Sequence, residues 1–277
     1  MEDITVGFIG FGLIGGSIAK ALKEKHPGFT LIGYDHHTDS KNANLELALQ
    51  DGTLSKITHN LEEDFKLCDL IILCGPVLTN INYLAQLKSI IKPSSIITDV
   101  GSVKGAMHEA VKKLGLTKHF IGGHPMAGSE KTGYDNAHAR LLENAYYILT
   151  PTEDTTQEQL SLLQELVACT AAIPVVMDCK KHDDVTAAIS HVPHVISASL
   201  VNMVQSKDLD GTMKSLAAGG FKDITRISSS SPEMWQSICL SNSESILKFV
   251  HIFQDLLAEF ESVLTANEKG ALIDFFK

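Results

Sequence analysis

Gly10-Phe11-Gly12-Leu13-Ile14-Gly15, followed by Gly16-Ser17, is the stretch that decides how the first part of this chain folds. Before it, Ile4 to Gly10 is apolar and β-branched, as a buried strand is; after it, Ser17 to Lys25 carries apolar residues at helical spacing. Three glycines between a strand and a helix do three jobs. Gly10 permits the tight turn, Gly12 lets the backbone approach a pyrophosphate, and Gly15 allows close helix packing while the helix N-terminus faces the phosphates. The next β-branched run, Leu31 to Asp35, ends on a carboxylate twenty residues beyond Gly15. A carboxylate there accepts hydrogen bonds from a ribose 2′-hydroxyl and repels a 2′-phosphate, and no Arg lies nearby to neutralise one. NAD is therefore expected rather than NADP, with Gly10, Gly12, Leu13, Ile14, Gly15 and Asp35 as cofactor contacts. The competing explanation is a glycine-rich turn that binds nothing. His36 and His37 read as exposed loop residues beside the expected adenine ribose.

Outward from this motif the same alternation continues. Asp69 to Gly75, Ser95 to Val100, Phe120 to Gly123, Tyr146 to Thr150 and Pro174 to Asp178 read as further strands. Lys41 to Gln50, Thr79 to Ile91, Val103 to Leu114 and Gln157 to Thr170 read as crossover helices. The expected class is α/β, a Rossmann-type doubly wound, mostly parallel sheet over residues 1–179. Strand signals stop after Lys180, and residues 180–277 read as an all-helical second domain, with helices at Asp183 to Ser206, Asp210 to Ala218, Pro232 to Leu240 and Ser243 to Asn267.

Composition agrees with a folded enzyme. With 277 residues, 44% of them hydrophobic, the chain can bury the cores of two domains. A net charge of −10 argues against nucleic acid or an anionic membrane surface as partner, so an anionic substrate needs a local cationic site. Five widely spaced cysteines without a CxxC suggest reduced thiols, not a disulfide framework or a thiolate metal site. Glu2 and Asp3 precede the first apolar run, and no apolar stretch approaches a membrane span, so a cytoplasmic location is expected.

Four clusters invite chemistry. Asp99-Val-Gly-Ser102-Val-Lys104 ends a strand and opens a helix, placing Ser102 at the carboxyl edge of the sheet either as a helix N-cap or as a ligand contact. Gly122-Gly123-His124-Pro125-Met126-Ala127-Gly128-Ser129-Glu130 packs small residues around one histidine, leaving room for a ligand against an imidazole that can take a proton from a hydroxyl. His182-Asp183-Asp184 and Ser190-His191-Val192-Pro193-His194 share one helix; at 100° per residue Asp183 aligns with His194 and Asp184 with His191, and Pro193 should kink the helix between the histidines. Without HExxH these histidines do not suggest a metal site. Finally Gly219-Gly-Phe-Lys222-Asp-Ile-Thr-Arg226 offers a guanidinium fork suited to a carboxylate, with a second cation beside it, ahead of Ser231-Pro-Glu-Met-Trp235.

Taken in order, Gly10 to Ser17, Asp99 to Lys104, Gly123 to Glu130, His182 to His194 and Gly219 to Trp235 resemble the prephenate dehydrogenases over nearly the whole chain. The resemblance implies a Rossmann domain followed by a helical dimerisation domain, a homodimer, and NAD-dependent oxidative decarboxylation of prephenate to 4-hydroxyphenylpyruvate in tyrosine biosynthesis. It implies His124 as acceptor for the ring hydroxyl, Ser102 as its orienting partner, and His194 and Arg226 as substrate-carboxylate contacts. Ser129, Glu130, Lys222 and Trp235 match positions that line or gate the pocket, Trp235 reaching in from the partner subunit. The dehydrogenase core alone is expected, without a chorismate mutase segment before Ile4 or an ACT domain after Lys277. Three other readings are weighed: an arogenate dehydrogenase, a β-hydroxyacid dehydrogenase, and an NAD-sensing regulator. The His-centred set argues against the second, which usually places a catalytic lysine in its second domain.

Overall fold

The computed structural model describes residues 3–35, 42–128 and 131–277. By their contacts they form two compact units, one of residues up to Asp183 together with Ser230–Ser241, the other of Asp184–Ser229 and Asn242–Lys277.

The first unit is built around β1 (Thr5–Ile9), α1 (Leu13–Lys25), β2 (Thr30–Tyr34), α2 (Ala43–Gln50), the two-residue β3 (Lys56–Ile57), β4 (Leu70–Leu73), α3 (Val77–Leu87), β5 (Ile96–Asp99) and α4 (Gly105–Leu114). The strands pair in parallel in the order β3-β2-β1-β4-β5. Leu-Ile-Ile-Leu in β4 is buried throughout, because helices cover both faces of such a sheet and leave no solvent side for alternation. Between β1 and β4 the chain switches direction across the sheet, and the crevice at that switch is where this fold binds ligands.

The sheet is not parallel throughout. β6 (Ile121–Pro125) is joined to β5 by a parallel bridge from Ile97 to Phe120, but β7 (Tyr146–Pro151) runs antiparallel to β6, and β8 (Ile173–Val176) follows β7 in parallel across α5 (Gln157–Cys169). The cause is the β6–β7 connection. A parallel return needs a crossover, usually a helix, and the described residues of this segment hold a single 3-10 turn, Tyr134–Asn136. Tyr134 instead pins it to the sheet, its ring stacked on Phe11 of the glycine turn at 5.4 Å and its hydroxyl donating to Asp51 Oδ2 at 2.7 Å.

A helical stretch of 29 residues, α6 (Cys179–Lys207), links the units. It contains a π-turn at Ala187–His191, with Val192 N–H donating to the Ala187 carbonyl. Pro193 has no N–H for the preceding turn, and its ring crowds the carbonyl four residues back, so the helix widens just before it. Widening rotates the histidines out of the register that 100° per residue assigns. Asp184 bonds Ser245 (2.8 Å) and Lys248 (3.0 Å), and His191 Nδ1 meets Asn242 Nδ2 at 3.3 Å, contacts across helices that the spacing within one helix does not reveal. Contrary to the sequence reading, α6 is long and apolar enough to cross a membrane by length and composition. Its Asp183, Asp184 and three histidines are groups that lipid would penalise heavily.

The second unit continues with a single turn, Thr212–Ser215, then α7 (Gly219–Thr225), a 3-10 turn at Arg226–Ser229, α9 (Ser243–Thr265) and α10 (Lys269–Phe275). α8 (Pro232–Ser241) belongs to the first unit. Few side chains of the second unit are fully buried, and Ile189, Leu209, Leu216, Leu247, Ile252, Leu257 and Phe276 are all largely exposed. A monomeric unit rarely leaves so much apolar surface uncovered.

Candidate active site

Each glycine of the opening motif has a visible reason. Gly10 has φ +82°, and a Cβ there would lie 3.1 Å from Gly75 N. At Gly15 a Cβ would meet Cys74 Sγ at 3.0 Å, which is the close helix–strand contact expected. Gly12 differs: nothing lies within 4 Å of its Cβ position, so the backbone faces open space at the helix N-terminus. Asp35 directly follows β2.

That open space is a cleft of about 490 Å³ at the carboxyl ends of the strands. Gly12, Leu13, Ile14 and Gly15 line it after β1, Gly75 to Val77 after β4, Gly101 and Ser102 after β5, and His124 from β6; Lys131 to Gly133 and Met234, Ser237 and Ile238 of α8 complete it. A dinucleotide fits this donor set: the first N–H groups of α1, which no N-cap side chain takes, no side chain in the way at Gly12, and a carboxylate at the end of β2.

His124 is 8% exposed, and its Nδ1 lies 2.8 Å from His182 Nε2. His182 is fully buried, and its Nδ1 lies 2.8 Å from Asp183 Oδ1. Asp183 in turn accepts the backbone N–H groups of Lys104 (2.8 Å) and Gly105 (2.7 Å) at the start of α4. Those are orphan donors of a helix end, and a carboxylate is favoured beside them. The N-cap of α4 is Lys104 and no side chain of its own turn caps it, so Ser102 is not a cap; it sits in the loop, facing the cleft.

Beneath this row lies a buried ion pair. Lys104 and Asp99 are both completely buried and in contact. Lys104 Nζ also donates to Gly123 O at 2.7 Å, and Asp99 accepts from Gly101 N (2.9 Å) and Gly123 N (3.1 Å). Burial holds the Lys104 ammonium below its ordinary pKa, opposed by Asp99. Burial likewise lowers His182, outweighing its bond to Asp183, so this ring is neutral near pH 7. Cys74 lines the cleft, but burial, then Asp99, pushes its thiol far above the usual range, which removes it as a nucleophile.

The remaining expected residues lie elsewhere. His194, on α6 in the second unit, is 8% exposed, and burial lowers its pKa. Lys222 and Arg226, both exposed, stand four apart at the end of α7 and the start of the turn that packs on α6. Trp235 is half-buried on α8, packed against the core of its own first unit. Ser129 and Glu130, like His36 and His37, lie outside the described residues. Sequence reasoning gave no role to His182, Lys104 or the α8 side chains Met234, Ser237 and Ile238 of the cleft, and considered Asp183 only in a column with His194. The Asp99-x-x-Ser102-x-Lys104 spacing held a signal for Lys104, whereas the contact of His124 with a residue 58 positions away had none.

A dinucleotide turn opening on the same cleft as a buried, carboxylate-linked histidine defines a nicotinamide-dependent dehydrogenase class. The comparisons with known proteins narrow it. Residues 18–176 match the family description "Prephenate dehydrogenase, nucleotide-binding domain" and residues 178–277 match "Prephenate dehydrogenase, dimerization domain". A prephenate dehydrogenase of Bacillus subtilis is 39% identical over 280 residues, which span 100% of this chain and 73% of the relative. Among solved structures, the prephenate dehydrogenase of A. aeolicus in complex with hydroxyphenyl propionate and NAD+ superposes with a TM-score of 0.91 at 30% identity, covering 100% of this chain and 96% of that one. Synechocystis arogenate dehydrogenase gives 0.85 at 30% identity, covering 99% and 96%. The chain belongs to the prephenate dehydrogenase family.

Proposed function

We propose that this protein oxidises and decarboxylates prephenate with NAD, giving 4-hydroxyphenylpyruvate for tyrosine biosynthesis. The observation that carries the reading is the shared cleft: His124 and Ser102 face the space into which the Gly12 backbone opens. Gly10, Gly12, Leu13, Ile14 and Gly15 would hold the pyrophosphate side of NAD and Asp35 its ribose. When bound, NAD supplies the hydride acceptor. His124 takes the proton of the ring C4 hydroxyl as C4 becomes carbonyl-like, and Ser102 orients that hydroxyl. The ring carboxylate leaves as CO2, its bonding pair entering the ring and displacing the C4–O π pair onto oxygen, which takes the proton back from His124 as the phenol forms; aromatisation drives the step. The chain's task is to position the reacting groups and manage one proton.

In this reading residues 1–179 form the cofactor domain and 180–277 the substrate-binding and dimerisation domain. His194 and Arg226 contact the substrate carboxylates, and Lys222, Ser129, Glu130 and Trp235 line or gate the pocket. A second copy of the chain covers the exposed apolar helices, and the homodimer works in the cytoplasm. The test mixes purified protein with NAD and either prephenate or arogenate and follows NADH. Turnover with prephenate and little activity with NADP are expected. A kcat/KM at least about tenfold higher with arogenate overturns the substrate, and a single-chain mass in gel filtration overturns the dimer.

A further inference from the structure

We propose that His182, held by Asp183, is a positioning residue that fixes the tautomer of His124 and leaves its Nε2 without a hydrogen, as an acceptor toward the substrate hydroxyl. This rests on the reading of His124 as the base and adds the group that prepares it.

The argument is a proton count along three side chains. Asp183 Oδ1 accepts from Lys104 N–H at 2.8 Å and Oδ2 from Gly105 N–H at 2.7 Å, so this carboxylate is an acceptor toward everything it faces. His182 Nδ1, 2.8 Å from Oδ1, therefore carries a hydrogen. His182 is fully buried, and it faces the Lys104 ammonium as well as Asp99 and Asp183; burial keeps it neutral. A neutral imidazole has one N–H, so His182 Nε2 is bare. His124 Nδ1, 2.8 Å from that nitrogen, must be the donor. The one hydrogen of neutral His124 is thus spent on His182, and Nε2 is left as a lone pair. A base for a hydroxyl needs that state; the other tautomer would present an N–H to the hydroxyl and could only donate.

Anchored on the first N–H groups of α4, the carboxylate is fixed by backbone, and His182 carries its influence to the ring of His124. The order Asp–His–His places a neutral ring between this carboxylate and the base, so Asp183 acts on His124 through the orientation of His182.

Two measurements test this. In protein labelled with 15N-histidine, with the His124 signals assigned by their loss in His124→Asn, the ring shifts near neutral pH should report a protonated Nδ1 and a bare Nε2. A protonated Nε2 overturns the proposal. Kinetically, His182→Gln keeps an acceptor oxygen for His124 Nδ1–H, whereas His182→Leu does not. Loss of the correct tautomer elsewhere costs up to about 10⁴ in kcat, so His182→Leu should lose at least about tenfold in kcat with KM little changed, and His182→Gln should recover most of that loss. Equal losses in the two variants reduce His182 to packing and overturn the proposal. The two layers fail separately: full activity in His124→Asn with the Nδ1–H tautomer in place removes the base, whereas an inactive His124→Asn with an Nε2–H tautomer removes only the role of His182.

Discussion

Replacing Lys104 by Met tests whether the buried ion pair holds the site together. Both Lys104 and Asp99 have no solvent exposure, so the substitution leaves a carboxylate in the core with its counter-charge gone. Asp99 keeps two backbone partners, Gly101 N and Gly123 N, but Gly123 O loses the Lys104 bond. Breaking a buried pair by removing one partner costs about 3–5 kcal/mol, and Met fills nearly the same volume, so little of that loss comes from a cavity. For a unit of this size each kcal/mol moves Tm by about 2–4 °C, which predicts a drop on the order of 10 °C. Thermal and urea unfolding at fixed protein concentration measure it, with the urea slope checked for constancy. Adding Asp99→Asn should return at least half of the loss, because a neutral amide still accepts one backbone N–H. A Lys104→Met variant within about 1 kcal/mol of wild type would refute the assignment of the pair as an anchor.

His124→Asn should lower kcat by about two to four orders of magnitude with little change in KM, and the limb of kcat that rises with pH near neutrality should vanish; pH-rate profiles decide it. Gly12→Val places a side chain where the structure has open space, so Tm should hold while NAD affinity, read by fluorescence titration, falls at least about tenfold. His108, His182 and His194 all have pKa values lowered by burial and so bind protons more weakly folded than unfolded. Their contribution to stability is complete above the unfolded value near 6.5 and is lost as pH falls toward the folded values; Tm measured against pH should decline below about 6.5, and less steeply in His108→Gln.

The sheet and its cofactor turn were legible because their signals are local. A strand, three spaced glycines, a helix and a carboxylate occupy Ile4 to Asp35, and each acts on near neighbours. β3 went unseen because two residues carry no periodicity. The reversal of β7 was hidden in a connection whose described residues form no α-helix, and the π-turn at Ala187–His191 arises from a proline whose effect the sequence signalled only as a kink. The candidate site was half legible. His124 and Ser102 stand out by the small residues beside them, but Lys104 enters only as the end of the stretch that opens a helix, and nothing in spacing announces that residue 182 meets residue 124.

Stability alone gives no reason to keep Asp99, Lys104, His182 and Asp183 inside the protein, since apolar residues of similar volume often serve as well or better in such positions. Their arrangement gives one. Asp99 holds Gly123 N, Lys104 holds Gly123 O, His182 holds the ring of the next residue, His124, and Asp183 returns to the backbone of Lys104 and Gly105. The row closes on itself, so the backbone and the ring of His124 are fixed by one network with each member tied at both ends. Gly123 cannot give way either: a Cβ there would lie 2.4 Å from Asp99 O, so the strand ends are already in contact. Misplacing a reacting group by about 1 Å can cost 10²-fold in rate, which makes a rigid frame around a single base worth more to turnover than the stability that buried charges forgo. It follows that losing a single member should slow turnover by displacing His124, even where the fold survives and NAD still binds.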